Sequence, residues 1–296
     1  MIDRLIVNVL AWAAGHADEG RYSPVAILFH WTMAGLAAGQ LVLGWGMGRL
    51  PVGASKVGAH DLHYGVGERC TFDFFDAGPR ARGVLVYLHP GYWQWRDKAG
   101  FRFVAPSLVQ RGLHVAMVNY PLCPSVSLAA LTETVRSAMP AVLAHADAAL
   151  PLIAAGHSAG GHLAMEMGLT DWAARGLPTV EVAGVLALSG LYDLVPLART
   201  SLNENLRLDA DSAMAASPLY RAVSNGPPLL LAAGADETPA MREQSRRMHE
   251  VWLAMGNHST LHFEPGTDHF SLLQRLVAPG SALGRQVDLL LEHALS

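Results

Sequence analysis

The sequence is short of cysteine, of charge and of basic excess. Its two cysteines, Cys70 and Cys123, have the spacing of neither a metal site nor a redox pair, so nothing in them requires an oxidising compartment. Charged residues make up 16% of the chain and the formal net charge is -4. That balance, with a pI near 6.4, argues against electrostatic binding to nucleic acid, which wants a basic patch, and no nucleic-acid partner is expected. Fourteen histidines are scattered without an H-E-x-x-H, which argues against a zinc hydrolase of that kind; no metal is expected. Internal repeats and low-complexity tracts are also missing. What is abundant is apolar: 51% of the 296 residues are hydrophobic, enough for one large domain or one domain plus an appendage.

The first 52 residues differ from the rest. Residues 25–47, VAILFHWTMAGLAAGQLVLGWGM, carry no charged side chain and are long enough to cross a bilayer as a helix. Arg21 and Arg49 flank the run on both sides, so basic flanks do not orient it. It is too long and starts too far from Met1 for an ordinary signal peptide. The words RYSPVAILFHW and GWGMGRLP resemble the first membrane helix of small bacterial di-haem b-type membrane cytochromes, over about residues 21–51. That resemblance puts His30 at the position of a haem ligand, but one helix cannot supply a full axial pair and a closed pocket. The segment is therefore read as an apolar N-terminal helix, an anchor or a fusion remnant, through which any membrane contact would be made. If it is native the chain is expected at a membrane, otherwise in the cytoplasm. A glycine-rich linker over 53–67 and a catalytic domain over 68–296 follow. The sequence carries no signal that fixes an oligomeric state.

In that domain, apolar runs of strand length alternate with helical patterns. RCTFDFF, GVLVYLH, LHVAMVNY, PLIAAG, VAGVLALSG, PPLLLAAG and STLHFEP read as strands. Helices are expected over about 99–110, 128–148 and 239–255, after Ser158, and at the C-terminus. The alternation predicts an α/β fold: a mostly parallel sheet with helices on both faces.

G-H-S-A-G at 156–160 stands between a predicted strand and a predicted helix, as a nucleophile elbow does, and makes Ser158 the candidate nucleophile. Gly156 and Gly160 leave room for the strained turn, and the helix N-terminus offers N–H groups to a developing oxyanion. YLHPGYWQW at 87–95 follows an earlier strand, where hydrolases of this kind keep the rest of the oxyanion hole. Pro90 has no N–H; the backbone amides of Gly91, Tyr92 and Ala159 are the candidate donors. EPGTDHFSLL at 264–273 places His269, the candidate base, in a loop after the last strand. The acid is Asp236 or Glu237, side by side after another strand; spacing from the strand does not choose between them. Asp268 is expected to cap or solvate its own loop.

Over about residues 62–290 the chain resembles the α/β-hydrolase type of kynurenine formamidase, or arylformamidase. The matching words are HPGYWQW, GHSAGGHLA, SGLYDLVPL, the TSLNENLRL…ASPLY stretch, ETPAMREQSRRM and DHFSLL. The resemblance implies an α/β-hydrolase fold, Ser158 as nucleophile, His269 as base, and an acid three residues after the glycine that ends the strand. Counted from Gly234, that is Glu237, ahead of Asp236. It implies hydrolysis of an aryl formamide such as N-formylkynurenine to formate and an aryl amine through a formyl-enzyme, in tryptophan catabolism and with no cofactor. The family's H-G-G-Y-W is H-P-G-Y-W here, which stiffens the oxyanion loop. Tyr92, Trp93 and Tyr192 are expected to flank the aromatic substrate, under a wall formed by residues 190–226. Two rivals remain: a carboxylesterase of small esters using the same triad, and a membrane haem-binding or electron-transfer module with an inactive hydrolase domain.

Overall fold

The structure is a computed structural model that describes residues 58–147 and 149–296. The apolar run 25–47, with His30 and the cytochrome-like words, lies outside the described residues. Among the described residues no helix is long and apolar enough to cross a membrane.

Among the described residues, eight strands form one sheet in the order β1-β2-β4-β3-β5-β6-β7-β8. They are β1 (Leu62–His63), β2 (Thr71–Phe75), β3 (Gly83–Leu88), β4 (Leu113–Val118), β5 (Leu152–His157), β6 (Val182–Leu188), β7 (Leu229–Gly234) and β8 (Ser259–Glu264). From β4 to β8 every pairing is parallel, whereas β1 and β2 run antiparallel at one edge. This is the expected mostly parallel sheet. Its inner strands are apolar without alternation because both faces are covered: every residue of β3, β5 and β7 is buried.

Alternate residues of these strands, such as Leu85, Tyr87, Ile153 and Leu186, enter one hydrophobic cluster. It is completed by helices α1 (Ala105–Val109), α8 (Leu272–Val277) and α9 (Ala282–Ala294). Each large aliphatic side chain so buried contributes about 1.5–3 kcal/mol. Helix α4 (Ala159–Gly168) packs on β5 and β6, and α7 (Pro239–Ala254) on β7 and β8.

Three expectations change. The single helix over 128–148 is two, α2 (Leu128–Ser137) and α3 (Met139–His145), because Pro140 lacks the N–H a continuous helix needs and sits in the first turn of the second. The helix expected at 99–110 is a 3-10 turn, Lys98–Val104, leading into α1, with Pro106 at the junction. The stretch 53–67 is not wholly linker. Leu62 and His63 pair with Phe72 and Thr71, and Phe74 donates its N–H to the Ala59 carbonyl, so the free edge of β2 is covered. Between β6 and β7 the chain forms a cap of short elements, including α5 (Asn203–Leu206) and α6 (Ala210–Ala215).

Candidate active site

Ser158 sits between the last residue of β5 and the first of α4, with φ 56° and ψ -118°. A non-glycine residue in this region costs about 1–3 kcal/mol and persists only where its surroundings hold it. The Ser158 N–H donates to Leu188 O at 2.8 Å, and its carbonyl accepts from His162 N at 3.1 Å. The strand and helix can come this close only with glycines between them. A Cβ on Gly156 would lie 2.1 Å from Gly160 O, and one on Gly160 would lie 1.9 Å from Leu88 O.

The loops after β5, β6, β7 and β8 all open at the C-terminal edge of the sheet, where parallel α/β sheets bind ligands. His269 comes from the loop after β8. Asp268 caps that loop, its Oδ1 accepting from the amides of Phe270 and Ser271 at 3.0 and 2.8 Å. The His269 ring is buried, 4.6 Å from the ring of His157 beside the serine, and Phe270 meets it edge-on at 5.3 Å. Its Nδ1 lies 3.0 Å from Glu237 Oε2. A carboxylate partner there fixes the Nδ1–H tautomer and leaves Nε2 unprotonated as a base.

Glu237 follows β7 and is buried. Its Oε1 accepts from the Ser189 hydroxyl and, at 2.8 Å, from Gly234 N. Burial pushes the Glu237 carboxyl up, but the imidazole of His269, the Ser189 hydroxyl and the Gly234 amide outweigh it and hold the group below the usual carboxylate range. Asp236 is not part of this group. Its N–H donates to Thr267 O at 2.9 Å, and the carboxylate that meets His269 is its neighbour's.

The third element is the turn after β3. Gly91, Tyr92 and Trp93 have φ values of 131°, 50° and 60°. The Gly91 carbonyl accepts from the amides of Gln94 and Trp95 at 3.0 and 2.9 Å, closing the turn. A Cβ on Gly91 would lie 2.0 Å from Trp95 O, so only glycine fits. Among the described residues the N–H groups of Gly91, Tyr92 and Ala159 are taken by no protein acceptor, as donors kept for an oxyanion would be.

Trp93 and Tyr192 differ from expectation. Both are fully buried. Trp93 meets the His162 ring edge-on at 5.0 Å and its carbonyl accepts from Cys123 N, while Tyr192 lies against Gly190, with its amide held by Gln244. These contacts fix the positions of both rings inside the domain. Tyr92 is 7% exposed, at the margin of the turn.

The cap is tied to this machinery. Gln94 Nε2 donates to Leu202 O, and Gln94 Oε1 accepts from Asn205 Nδ2 at 2.9 Å. Gln244 Oε1 accepts from the amides of Tyr192 and Asp193, and Arg247 pairs with Asp193. Reading the sequence missed Ser189, Gln94 and His157. For Ser189 the only signal was its position in the last turn of VAGVLALSG. His157 is buried with both ring nitrogens unpartnered, and burial holds it well below the ordinary histidine range, so it is neutral. Among the described residues no group of three or more His, Cys, Asp or Glu converges as a metal site would require.

Residues 77–252 match the family described as BD-FAE. A kynurenine formamidase of Salmo salar is 31% identical over 225 residues, covering 73% of this chain and 76% of that protein. One of Danio rerio is 30% identical over 224 residues, with the same two coverages, 73% and 76%. Among solved structures, Esterase B of Lactobacillus rhamnosus superimposes with a TM-score of 0.72 at 17% identity, covering 90% of this chain and 94% of that one, a likeness of fold.

Proposed function

The chain belongs to the BD-FAE family of α/β-hydrolases and is related to the kynurenine formamidases, and on that premise we propose that it is a serine hydrolase of aryl formamides. The single observation that carries this reading is the buried Glu237–His269 pair, 3.0 Å apart, packed against the elbow that bears Ser158. N-formylkynurenine is the substrate the relatives suggest.

In this reading Ser158 Oγ attacks the formyl carbon while His269 Nε2 takes its proton. The carbonyl oxygen gains the negative charge and is met by the free amides of Gly91, Tyr92 and Ala159. The imidazolium, held by Glu237, passes its proton to the departing nitrogen as the C–N bond breaks. Water then adds to the formyl-enzyme with His269 as base, formate leaves, and Ser158 is restored. A site this closed, with Ser158 only 1% exposed, favours a small acyl group such as formyl.

The test is kcat/KM on N-formylkynurenine beside p-nitrophenyl acetate for wild type and Ser158→Ala. A strong preference for the formamide, abolished by the substitution, is the expected result. Serine-dependent turnover that prefers the ester would make the protein a carboxylesterase. Turnover of both that survives Ser158→Ala would overturn the nucleophile.

A further inference from the structure

The oxyanion turn is closed by two hydrogen bonds of its own, to the Gly91 carbonyl, but its backbone is strained. Between residues 91 and 96, four residues have left-handed backbone: Gly91, Tyr92, Trp93 and Arg96, with φ values of 131°, 50°, 60° and 77°. Three of them carry side chains, and such a segment keeps its conformation only when its surroundings impose it. On one side Gln94 ties it to the cap. On the other, a polar cluster at the ends of β2 and β4 grips both arms of the turn.

We propose that Arg69 and Asn119 form a positioning clamp for the oxyanion hole, an inference that rests on the role given to that turn above. Arg69, just before β2, donates from Nε to Tyr120 O at 2.8 Å. Its Nη2 donates to Arg96 O at 2.7 Å and to Asn119 Oδ1 at 3.0 Å. Its Nη1 reaches Asp97 Oδ2 at 3.4 Å. Asn119, just after β4, is buried and completes the set: Nδ2 donates to Asp97 Oδ2 at 2.7 Å, and Oδ1 also accepts from Lys98 N at 3.2 Å. Tyr64 anchors Asn119 from behind, its hydroxyl donating to Asn119 O at 2.7 Å. The outgoing arm of the turn, residues 96–98, is thus held at three successive residues.

The incoming arm is held by the same unit at one remove. The Tyr120 hydroxyl donates to His89 O at 2.6 Å, and the two rings stack 4.2 Å apart. Arg69 therefore fastens Tyr120 by its carbonyl and Arg96 by its carbonyl, and the turn is suspended between them. A planar guanidinium serves these acceptors from three separate nitrogens in a fixed fork, whereas the ammonium of lysine must reach all of them from one nitrogen. The side-chain hydrogen bonds of Arg69 and Asn119 go to each other, to Tyr120 and to residues 96–98, and none of them goes to Ser158, Glu237 or His269. Both are positioning residues, acting through the direction in which the Gly91 and Tyr92 amides point. Misplacing such donors by a fraction of an ångström weakens only the tetrahedral state, where the charge develops.

The test compares wild type with Arg69→Lys, Arg69→Ala and Asn119→Ala, with active sites counted by fluorophosphonate labelling of Ser158. An aryl trifluoromethyl ketone, whose serine adduct places an oxyanion in the hole, serves as tetrahedral-state probe. The expected result is a loss of about 10- to 100-fold in kcat per labelled site, with a matching loss of ketone affinity. KM should stay within about threefold, and guanidinium ion should partly restore Arg69→Ala. If kcat per labelled site and ketone affinity stay within about twofold of wild type while Tm falls, the cluster is scaffold only and the proposal fails. Should Arg69→Ala not fold, Arg69→Lys gives the same readouts. Ester turnover without formamide turnover would remove the formamide reading and leave the clamp measurable on p-nitrophenyl acetate. No serine-dependent turnover of either substrate would overturn both.

Discussion

Glu237 Oε2 and His269 Nδ1 lie 3.0 Å apart, both buried, although 32 residues separate them along the chain. The neighbouring Asp236 has its amide engaged with Thr267 instead. Replacing Glu237 by Gln keeps the shape but removes the charge that fixes the tautomer and stabilises the imidazolium. A fall in kcat of about 10³- to 10⁴-fold is expected, against less than about threefold for Asp236→Asn. Steady-state kinetics of the two variants on one substrate decide the matter; equal losses would sink the assignment of the acid.

Ser189 supports that acid from the end of β6, its hydroxyl donating to Glu237 Oε1. Ser189→Ala leaves a buried carboxylate short of one donor, at a cost of about 1–2 kcal/mol in stability. Because that bond lowers the Glu237 pKa, its loss raises it. A kcat about 5- to 30-fold lower is expected, converted from the same cost if the charge on Glu237 is correspondingly less stable. Thermal melts and kinetics check both, and an unchanged melt would contradict the bond.

Three buried groups contribute to the acid stability of the fold. Burial pushes His89 down to about 4 and holds His157 well below the ordinary histidine range. Both are neutral when folded, whereas in the unfolded chain they take up a proton below about pH 6.5. Their contribution is therefore complete above that pH and is lost as pH falls toward the folded values. Glu237, also depressed, adds a further loss below the ordinary carboxylate pKa of about 4.3. Tm should fall from pH 6.5 downward, and His157→Phe should flatten the first part of that slope; a Tm flat to pH 4.5 in wild type would contradict the burial of these imidazoles.

Gly160 is a packing requirement of the elbow, not a flexible joint. Its Cβ would lie 1.9 Å from Leu88 O and 2.9 Å from His89 O, both backbone atoms that cannot swing aside. Gly160→Ala should cost about 3 kcal/mol or more, or prevent folding. Gly176, whose Cβ would meet nothing within 4 Å but whose φ is 76°, should cost about 1 kcal/mol as Ala. Denaturant midpoints of the two variants test the difference.

Much of the fold was legible because its signals are local. Continuous apolar runs bounded by turn residues located β3 to β8 closely. What local pattern could not see were places where a neighbour overrides it. Leu62 and His63 sit in a glycine-rich stretch and become a strand only because β2 offers an open edge. Trp93 and Tyr192 carry the composition of an aromatic binding wall, yet His162 on α4 and Gly190 take them into the core.

By itself the sequence determined the order of strand, elbow and helix around Ser158, the turn at Gly91, and a histidine loop after the last strand. Each of these depends on backbone conformations that a few consecutive residues dictate. The family resemblance put Glu237 ahead of Asp236, but only the tertiary structure brought its carboxylate to His269, set Ser189 against it, and carried Arg69 across to the turn at Arg96. Adjacent residues on one loop have nearly the same local signal. Which of two carboxylates faces an imidazole is set by the register of β7 against β8, a long-range pairing that no short stretch of chain contains.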